Sequence, residues 1–263
     1  MIGLTSRSRA RTRAEVVSQL EEAMLSGRLV PGDRLPSERQ LAETYRLSRP
    51  MIREALRTLA ERKLVKISPG RGAFVLKPSV AQGAGPLEML YRRQGATARD
   101  LSEARLMLEY EAARLAAKRA DLDDVTHLEE SLRALEGARS VLERVQCDLA
   151  FHLRIASATH NPVIETMFVS IMRFSVELMV RSAVDPEVRA RSDPFHRATF
   201  LAIKARDPAT AGAAIKAHLT VASEMYGPDF EQQLDSVALR GVRSLGYADV
   251  EDFLRKVTND ETA

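Results

Sequence analysis

A single cysteine, Cys147, rules out an intramolecular disulfide and fits a chain that works in a reducing cytoplasm. Tryptophan is absent and aromatic residues make up only 5% of the chain, which argues against recognition of single-stranded nucleic acid by stacking. No run of about 18 apolar residues occurs, so no membrane span is expected. No apolar stretch follows the arginines near the N-terminus, so no secretory signal is expected either. Strand-like alternation is confined to residues 65–75, and the rest is helical in pattern. With 263 residues and 45% hydrophobic composition, the chain suits about two globular domains.

The charge is unevenly placed. The net is only +3, yet residues 1–80 hold 16 Lys and Arg against 8 Asp and Glu, a net of +8, which leaves −5 for residues 81–263. A basic first part points to a polyanionic partner. Arg7, Arg9, Arg11 and Arg13 alternate at its start, either as an arm lying on phosphates or as the solvated start of a helix.

Within the basic part, Ser37-Glu38-Arg39-Gln40 is an S-x-x-Q capping box. The hydroxyl accepts from an orphan amide and the Gln reaches back, which predicts a helix that carries Leu41 and Ala42 inward and ends by Tyr45. After Arg46-Leu47, Ser48 is expected to cap a second helix. Its early Pro50 lacks only an N–H that has no intrahelical partner, and Ile52, Ala55, Leu56 and Leu59 form its apolar stripe. Arg49, Arg53 and Arg57 fall at i, i+4 and i+8 on the other side. Arginine pairs bidentately with guanine N7 and O6 or clamps phosphate, and a helix N-terminus adds amides and a favourable dipole. Val65-Lys66-Ile67 then alternates, Pro69-Gly70-Arg71-Gly72 supplies a turn, and Ala73-Phe74-Val75 returns, which sets Arg71 at the tip of a hairpin. A lone exposed arginine is most often just a solvated charge. In this order, however, the capping box, the arginine row and the glycine-tipped hairpin are the parts of a winged helix-turn-helix, a reader of double-stranded DNA.

Residues 77–86 lack periodicity and concentrate Pro, Gly and small side chains, the composition of a linker. The expected organisation is a DNA-binding domain over 1–76, a helical domain over 87–228 and an extension over 229–263. In the extension, Leu234 to Val242 and Val250 to Val257 suggest one or two short helices. Apolar residues recur at helical spacing over Leu101–Ala120, and Leu122–Ala138 and Val141–Ala158 follow. Asn161-Pro162, Asp185-Pro186, Asp193-Pro194 and Asp207-Pro208 each join a capping residue to a proline, so each is expected to open a helix. The fold class is therefore mainly α, a winged helix-turn-helix followed by a bundle of six or seven helices. Asp148 and His152 share a helix face, His196 is expected in the first turn after Pro194, and His218 lies about three turns beyond Pro208. Three imidazoles and a carboxylate suit Zn, Ni, Co or Mn, although histidines this far apart in sequence are more often unrelated.

The run from Pro31 to Val75, PGDRLPSERQLAETYRLSRPMIREALRTLAERKLVKISPGRGAFV, resembles the DNA-binding domain of the GntR family of bacterial transcription regulators. The resemblance implies that Arg39, Ser48, Arg49, Arg53 and Gly70 contact DNA, beside Arg71 at the wing tip. Lys63 departs from the pattern, standing where the family usually has Gly; it fits only with negative φ or with some strain. Arg105-x-x-Leu108-Glu109, Asp148-x-x-Phe151-His152, Asn161, His196 and His218-Leu219 resemble the FCD effector domain of the FadR-type subgroup. That likeness implies one divalent metal per chain on Asp148, His152, His196 and His218, with a carboxylate effector coordinated to it. Arg105 is placed either as a clamp on the effector carboxylate or in an i, i+4 salt bridge with Glu109, and Arg173 either in the cavity or at a dimer rim. The implied protein is a cytoplasmic homodimer on a palindromic operator, a repressor of a carboxylate or sugar-acid catabolic operon that responds to a small organic acid, with the linker as hinge. It is not expected to be an enzyme. A metal-dependent enzyme of small carboxylates would need a general base that the sequence does not offer, and a constitutive architectural DNA binder would leave the Asp and three His unexplained.

Overall fold

Local hydrogen bonding starts nearly every helix of this chain. The computed structural model describes residues 12–77 and 87–233 except 88 and 226, together with 243, 245 and 246; the side chains of 173, 177, 222, 228 and 229 also fall outside the described residues. Two compact units form, residues 1–82 and 83–263. Most of the expected linker, nearly all of the C-terminal extension and Arg7, Arg9 and Arg11 lie outside the described residues.

In the first unit, α1 (Arg13–Leu25) begins at a capping box between Thr12 and Glu15, so Arg13 opens a helix. The T-x-x-E signal for this helix is legible in the sequence as Thr12 and Glu15. Helix α2 (Glu38–Tyr45) begins at the Ser37 and Gln40 box and ends on Arg46 in the left-handed region, φ 54. Helix α3 (Arg49–Glu61) follows Ser48, which has the extended backbone of a cap but whose side chain makes no capping hydrogen bond. Pro50 is the physical reason: it removes one of the amides that an N-cap hydroxyl reaches. Val16, Leu20, Leu41, Ile52 and Leu59 interlock as the core between the three helices.

The wing is β1 (Val65–Ser68) antiparallel to β2 (Gly72–Val75), with Val65 opposite Val75 and Ser68 opposite Gly72. Gly70, at φ 71, makes the turn. A further chain segment pairs on β2, since Leu35 N donates to Ala73 O at 2.8 Å and Gly32 N to Val75 O at 2.9 Å. Between α3 and β1 sits Lys63 at φ 58, in a Schellman turn in which Leu64 N donates to Leu59 O. The strain anticipated for a non-glycine residue there is thus borne.

The second unit is a bundle of α4 (Ala98–Arg119), α5 (Leu122–Gly137), α6 (Val141–Ser157), α7 (Pro162–Val184), α8 (Pro186–Lys204) and α9 (Pro208–Glu224). Asn161, Asp185 and Asp207 cap helices ahead of their prolines, as expected. Asp193-Pro194 does not: Pro194 lies inside α8, and His196 is mid-helix rather than in a first turn. The Asp193 carboxylate is taken by Arg144 instead of capping. Packing of Val188, Phe200 and Ile203 carries the helix through at the cost of one backbone hydrogen bond. Ala112, Ala113, Ala116 and Ala117 on α4 are fully buried, and a Cβ on Gly212 of α9 would lie 2.8 Å from Tyr110 and Arg114 of α4. Small residues on both sides let these helices approach closely, which brings the His218 face of α9 toward the bundle interior. A 3-10 turn, Gly227–Glu231, packs Phe230 against Ala98, Leu101, Phe174 and Leu178.

Candidate DNA-reading surface and metal centre

The apolar stripe of α3 turns inward, with Ile52, Ala55 and Leu59 fully buried, so Arg49, Arg53 and Arg57 face solvent on the opposite side. They are not all loose charges. Arg53 donates from Nε to Glu38 Oε1 at 3.1 Å and from Nη2 to Oε2 at 3.0 Å, and Arg49 Nη2 lies 4.0 Å from the same carboxylate. The Arg53 hydrogen bond is the main cause that holds the Glu38 carboxyl below its usual range, against a smaller effect of burial. Arg57 pairs with Glu54 at 2.8 Å, and Arg39 lies 3.9 Å from Glu43. Ser48 is exposed, its hydroxyl uncommitted to a cap. Gly70 and Arg71 stand at the wing tip, the Arg71 guanidinium 5.9 Å from the Phe74 ring.

In the bundle, α6 supplies Asp148 and His152, α8 supplies His196 and α9 supplies His218. One ligand atom from each of the four lies within 4.8 Å of every other. His196 Nε2 is 2.8 Å and His152 Nε2 3.4 Å from Asp148 Oδ1, and the His196 and His218 ring centroids are 4.1 Å apart. All three histidines are buried. His152 Nε2 has no well-aligned hydrogen-bond partner, nor has His196 Nδ1, so the cluster is not closed by hydrogen bonding among its own members. Convergent imidazole nitrogens and a carboxylate with an unsatisfied buried nitrogen fit a divalent ion of the Zn, Ni, Co or Mn class.

Burial pushes the Asp148 carboxyl up, but the contacts with His152 and His196 and their charges outweigh it and hold the group well below the usual range. Burial likewise lowers His152, yet the Glu109 charge and the contacts with Asp148 and Glu109 raise it to about 9. For His218, burial and then the neighbouring imidazoles push in the same direction, well below the ordinary histidine value. A second grouping, exposed Asp121 and His160 with half-buried Asp124, has carboxylates that already serve the capping box of α5.

Arg105 donates from Nε to Glu109 Oε1 at 2.6 Å with both side chains buried, so the i, i+4 salt bridge forms. Arg105 also lines a partly open cavity of about 40 Å³ whose wall includes Asp148, His196 and His218. The two alternatives for Arg105 are therefore compatible. Arg173 lies on α7, its side chain outside the described residues.

The family model described as bacterial regulatory proteins, gntR family, matches residues 12–75, and that of the FCD domain matches residues 100–221. The Glc operon transcriptional activator of Escherichia coli K12 is 34% identical over 233 residues, which cover 82% of this chain and 90% of that one. This chain belongs to the GntR family. The galactonate operon transcriptional repressor of the same strain is 30% identical, covering 73% of this chain and 86% of its own length. Among solved structures, a Streptococcus agalactiae GntR protein aligns with a TM-score of 0.64 at 26% identity, over 80% of this chain and 97% of that chain. As a GntR regulator with an FCD domain, the chain is a ligand-responsive DNA-binding transcription regulator. FCD domains commonly bind metal ions, and all four clustered residues fall within the FCD match.

Two features of this GntR regulator escaped sequence reasoning. Glu109 approaches His152 as well as Arg105: His152 Nδ1 lies 2.5 Å from Glu109 Oε2. The i, i+4 spacing pointed to the arginine, whereas the histidine comes from another helix and has no local signal. Arg144 and Arg189 also line the cavity, and nothing in their spacing marked them.

Proposed function

We propose that the chain acts as a homodimeric repressor that holds a palindromic operator through Arg39, Ser48, Arg49, Arg53, Gly70 and Arg71, and that leaves it when a small organic acid enters the bundle. The single observation that carries the sensing part is the convergence of Asp148, His152, His196 and His218, of which Asp148, His196 and His218 stand on the wall of a cavity that arginines also line. In this reading those four residues hold one divalent metal ion, Zn, Ni, Co or Mn, which when bound offers open coordination positions to a carboxylate or hydroxyl oxygen. Glu109 stands against His152 Nδ1 at 2.5 Å and leaves Nε2 toward the cluster, a carboxylate behind a ligating histidine. Arg105, its charge balanced by Glu109, donates hydrogen bonds to the acid's carboxylate. The relatives named for the Glc and galactonate operons support a sugar acid or small hydroxy acid as effector, and their names carry both signs of regulation. The reading assigns no catalytic activity to the cluster.

A labelled operator selected from random DNA provides the test. With metal-loaded protein the effector acid releases the DNA, and metal-stripped protein or His196→Ala does not respond. Because binding free energies are reciprocal, operator DNA then weakens acid binding by the same factor, about 5- to 150-fold for a coupling of about 1 to 3 kcal/mol. Equal response of metal-stripped and metal-loaded protein would refute the sensing role of the cluster.

A further inference from the structure

Three arginines reach the cavity, and two of them are already neutralised. Arg105 is paired with buried Glu109 at 2.6 Å, and Arg144, whose side chain is only 15% exposed, is paired with Asp193. Arg189 is different. Among the described residues its guanidinium has no ion pair and no hydrogen bond, and its Nε is buried without a partner. It also sits in the opening turns of α8, where the unpaired amides of a helix start disfavour a cation. A buried guanidinium nitrogen left unsatisfied at a helix N-terminus is costly, and the cost is removed by an anion arriving from the cavity. Arg189, Ser192 and His196 follow at i, i+3 and i+7 on one face of α8, so the unpaired guanidinium and one clustered histidine border the same space.

We propose that Arg189 anchors a second negative group of the effector, so that the cavity selects a small dianionic hydroxy acid over its monoanionic counterpart. The inference rests on the reading above, that the Asp and His cluster holds a divalent ion. Neutral imidazoles leave that ion opposed only by Asp148, which gives one net positive charge at the ligand cluster. Arg189 contributes the other, while Arg105 and Arg144 cancel against Glu109 and Asp193. An acid with one carboxylate satisfies the first charge and leaves Arg189 as unpaired as before. A second carboxylate meets the guanidinium in the bidentate geometry that it favours.

Calorimetric titration of the zinc-reconstituted full chain tests this with two matched pairs, L-lactate against L-malate and 2-hydroxybutyrate against 2-hydroxyglutarate. Within each pair the acids differ only by a distal carboxylate, and the two pairs span two reaches. The parent should bind at least one dianion about ten-fold or more tighter than its partner. In Arg189→Gln that ratio should fall below about two-fold, with monoanion affinity, zinc content and melting temperature little changed. Arg189→Lys, which keeps the charge and loses the fork, should retain part of the ratio and decides the matter if the Gln variant does not fold. A parent ratio near one for both pairs, or a preference that survives Arg189→Gln, overturns the proposal while leaving the acid-sensing reading intact. Failure of zinc-loaded parent to bind any of the four acids overturns both.

Discussion

Replacing Glu109 with Gln keeps the shape of the side chain and removes the negative charge that stands between Arg105 and His152. Glu109 is 1% exposed, accepts from Arg105 Nε at 2.6 Å and lies 2.5 Å from His152 Nδ1. Burial pushes its carboxyl up, but the Arg105 and His152 charges and hydrogen bonds bring it down to about 2. Each charge-assisted contact is worth about 1.5 to 3 kcal/mol, and removing one partner of a buried pair costs about 3 to 5 kcal/mol because the other charge stays buried. At about 2 to 4 °C per kcal/mol for a domain of this size, melting should drop by roughly 6 to 20 °C. Zinc affinity, read by competition with a chromophoric chelator, should fall about 10- to 100-fold, since Glu109 sets the orientation and basicity of His152. The double variant Arg105→Met, Glu109→Met separates the two effects. It buries apolar side chains where the ion pair stood and should recover most of the melting temperature, yet its zinc affinity should stay low. If the double variant bound zinc like the parent, or if Glu109→Gln alone left affinity within about two-fold, Glu109 would be a structural ion-pair partner only and the orienting role would be wrong.

Three further outcomes are expected. Arg49→Ala should weaken binding to a selected operator by about 1 to 3 kcal/mol without altering the melt; equal affinity of the Arg49 variant and the parent would remove α3 as the reading helix. Lys63→Gly relieves a left-handed backbone that costs a side chain about 1 kcal/mol or more, so it should stabilise the chain by up to about 1 kcal/mol after the added unfolded-state entropy, and a clear loss in the melt would refute the strain at φ 58. The Glu38 carboxyl is depressed in the folded chain, so its stabilising contribution is present above its ordinary pKa and is lost as pH falls through the depressed value. Glu38→Gln should therefore cost a surface pair's worth, about 0.2 to 1 kcal/mol, near pH 7 and progressively less below about pH 4.5; a pH-independent difference would show that the charge is not what matters.

Much of the DNA-binding unit was legible in the sequence because its signals are local. Ser37 and Gln40 close their capping box, Ile52, Ala55 and Leu59 go inward, and Gly70 takes the positive φ that the wing turn demands. The same local reading failed where a tertiary contact competed. Ser48 looked like a hydroxyl cap until Pro50 removed an amide from its reach, and Asp193-Pro194 looked like a helix start until Arg144 took the aspartate and packing carried α8 past the proline. For Arg53, whose sequence neighbours show no partner, the structure adds a carboxylate from α2, Glu38.

The sequence by itself determined the elements, their caps, the inward faces and the candidate ligand types, all of which follow from hydrogen bonds and side-chain periodicities that span at most a turn or two of chain. Only the tertiary structure decided that Asp148, His152, His196 and His218 meet within 4.8 Å, that Glu109 stands behind His152, and that Arg189 reaches the cavity without a partner of its own. Those relations depend on how four helices pack, down to the alanines of α4 and Gly212 of α9 that let two of them close together, and no spacing along the chain encodes a distance between helices.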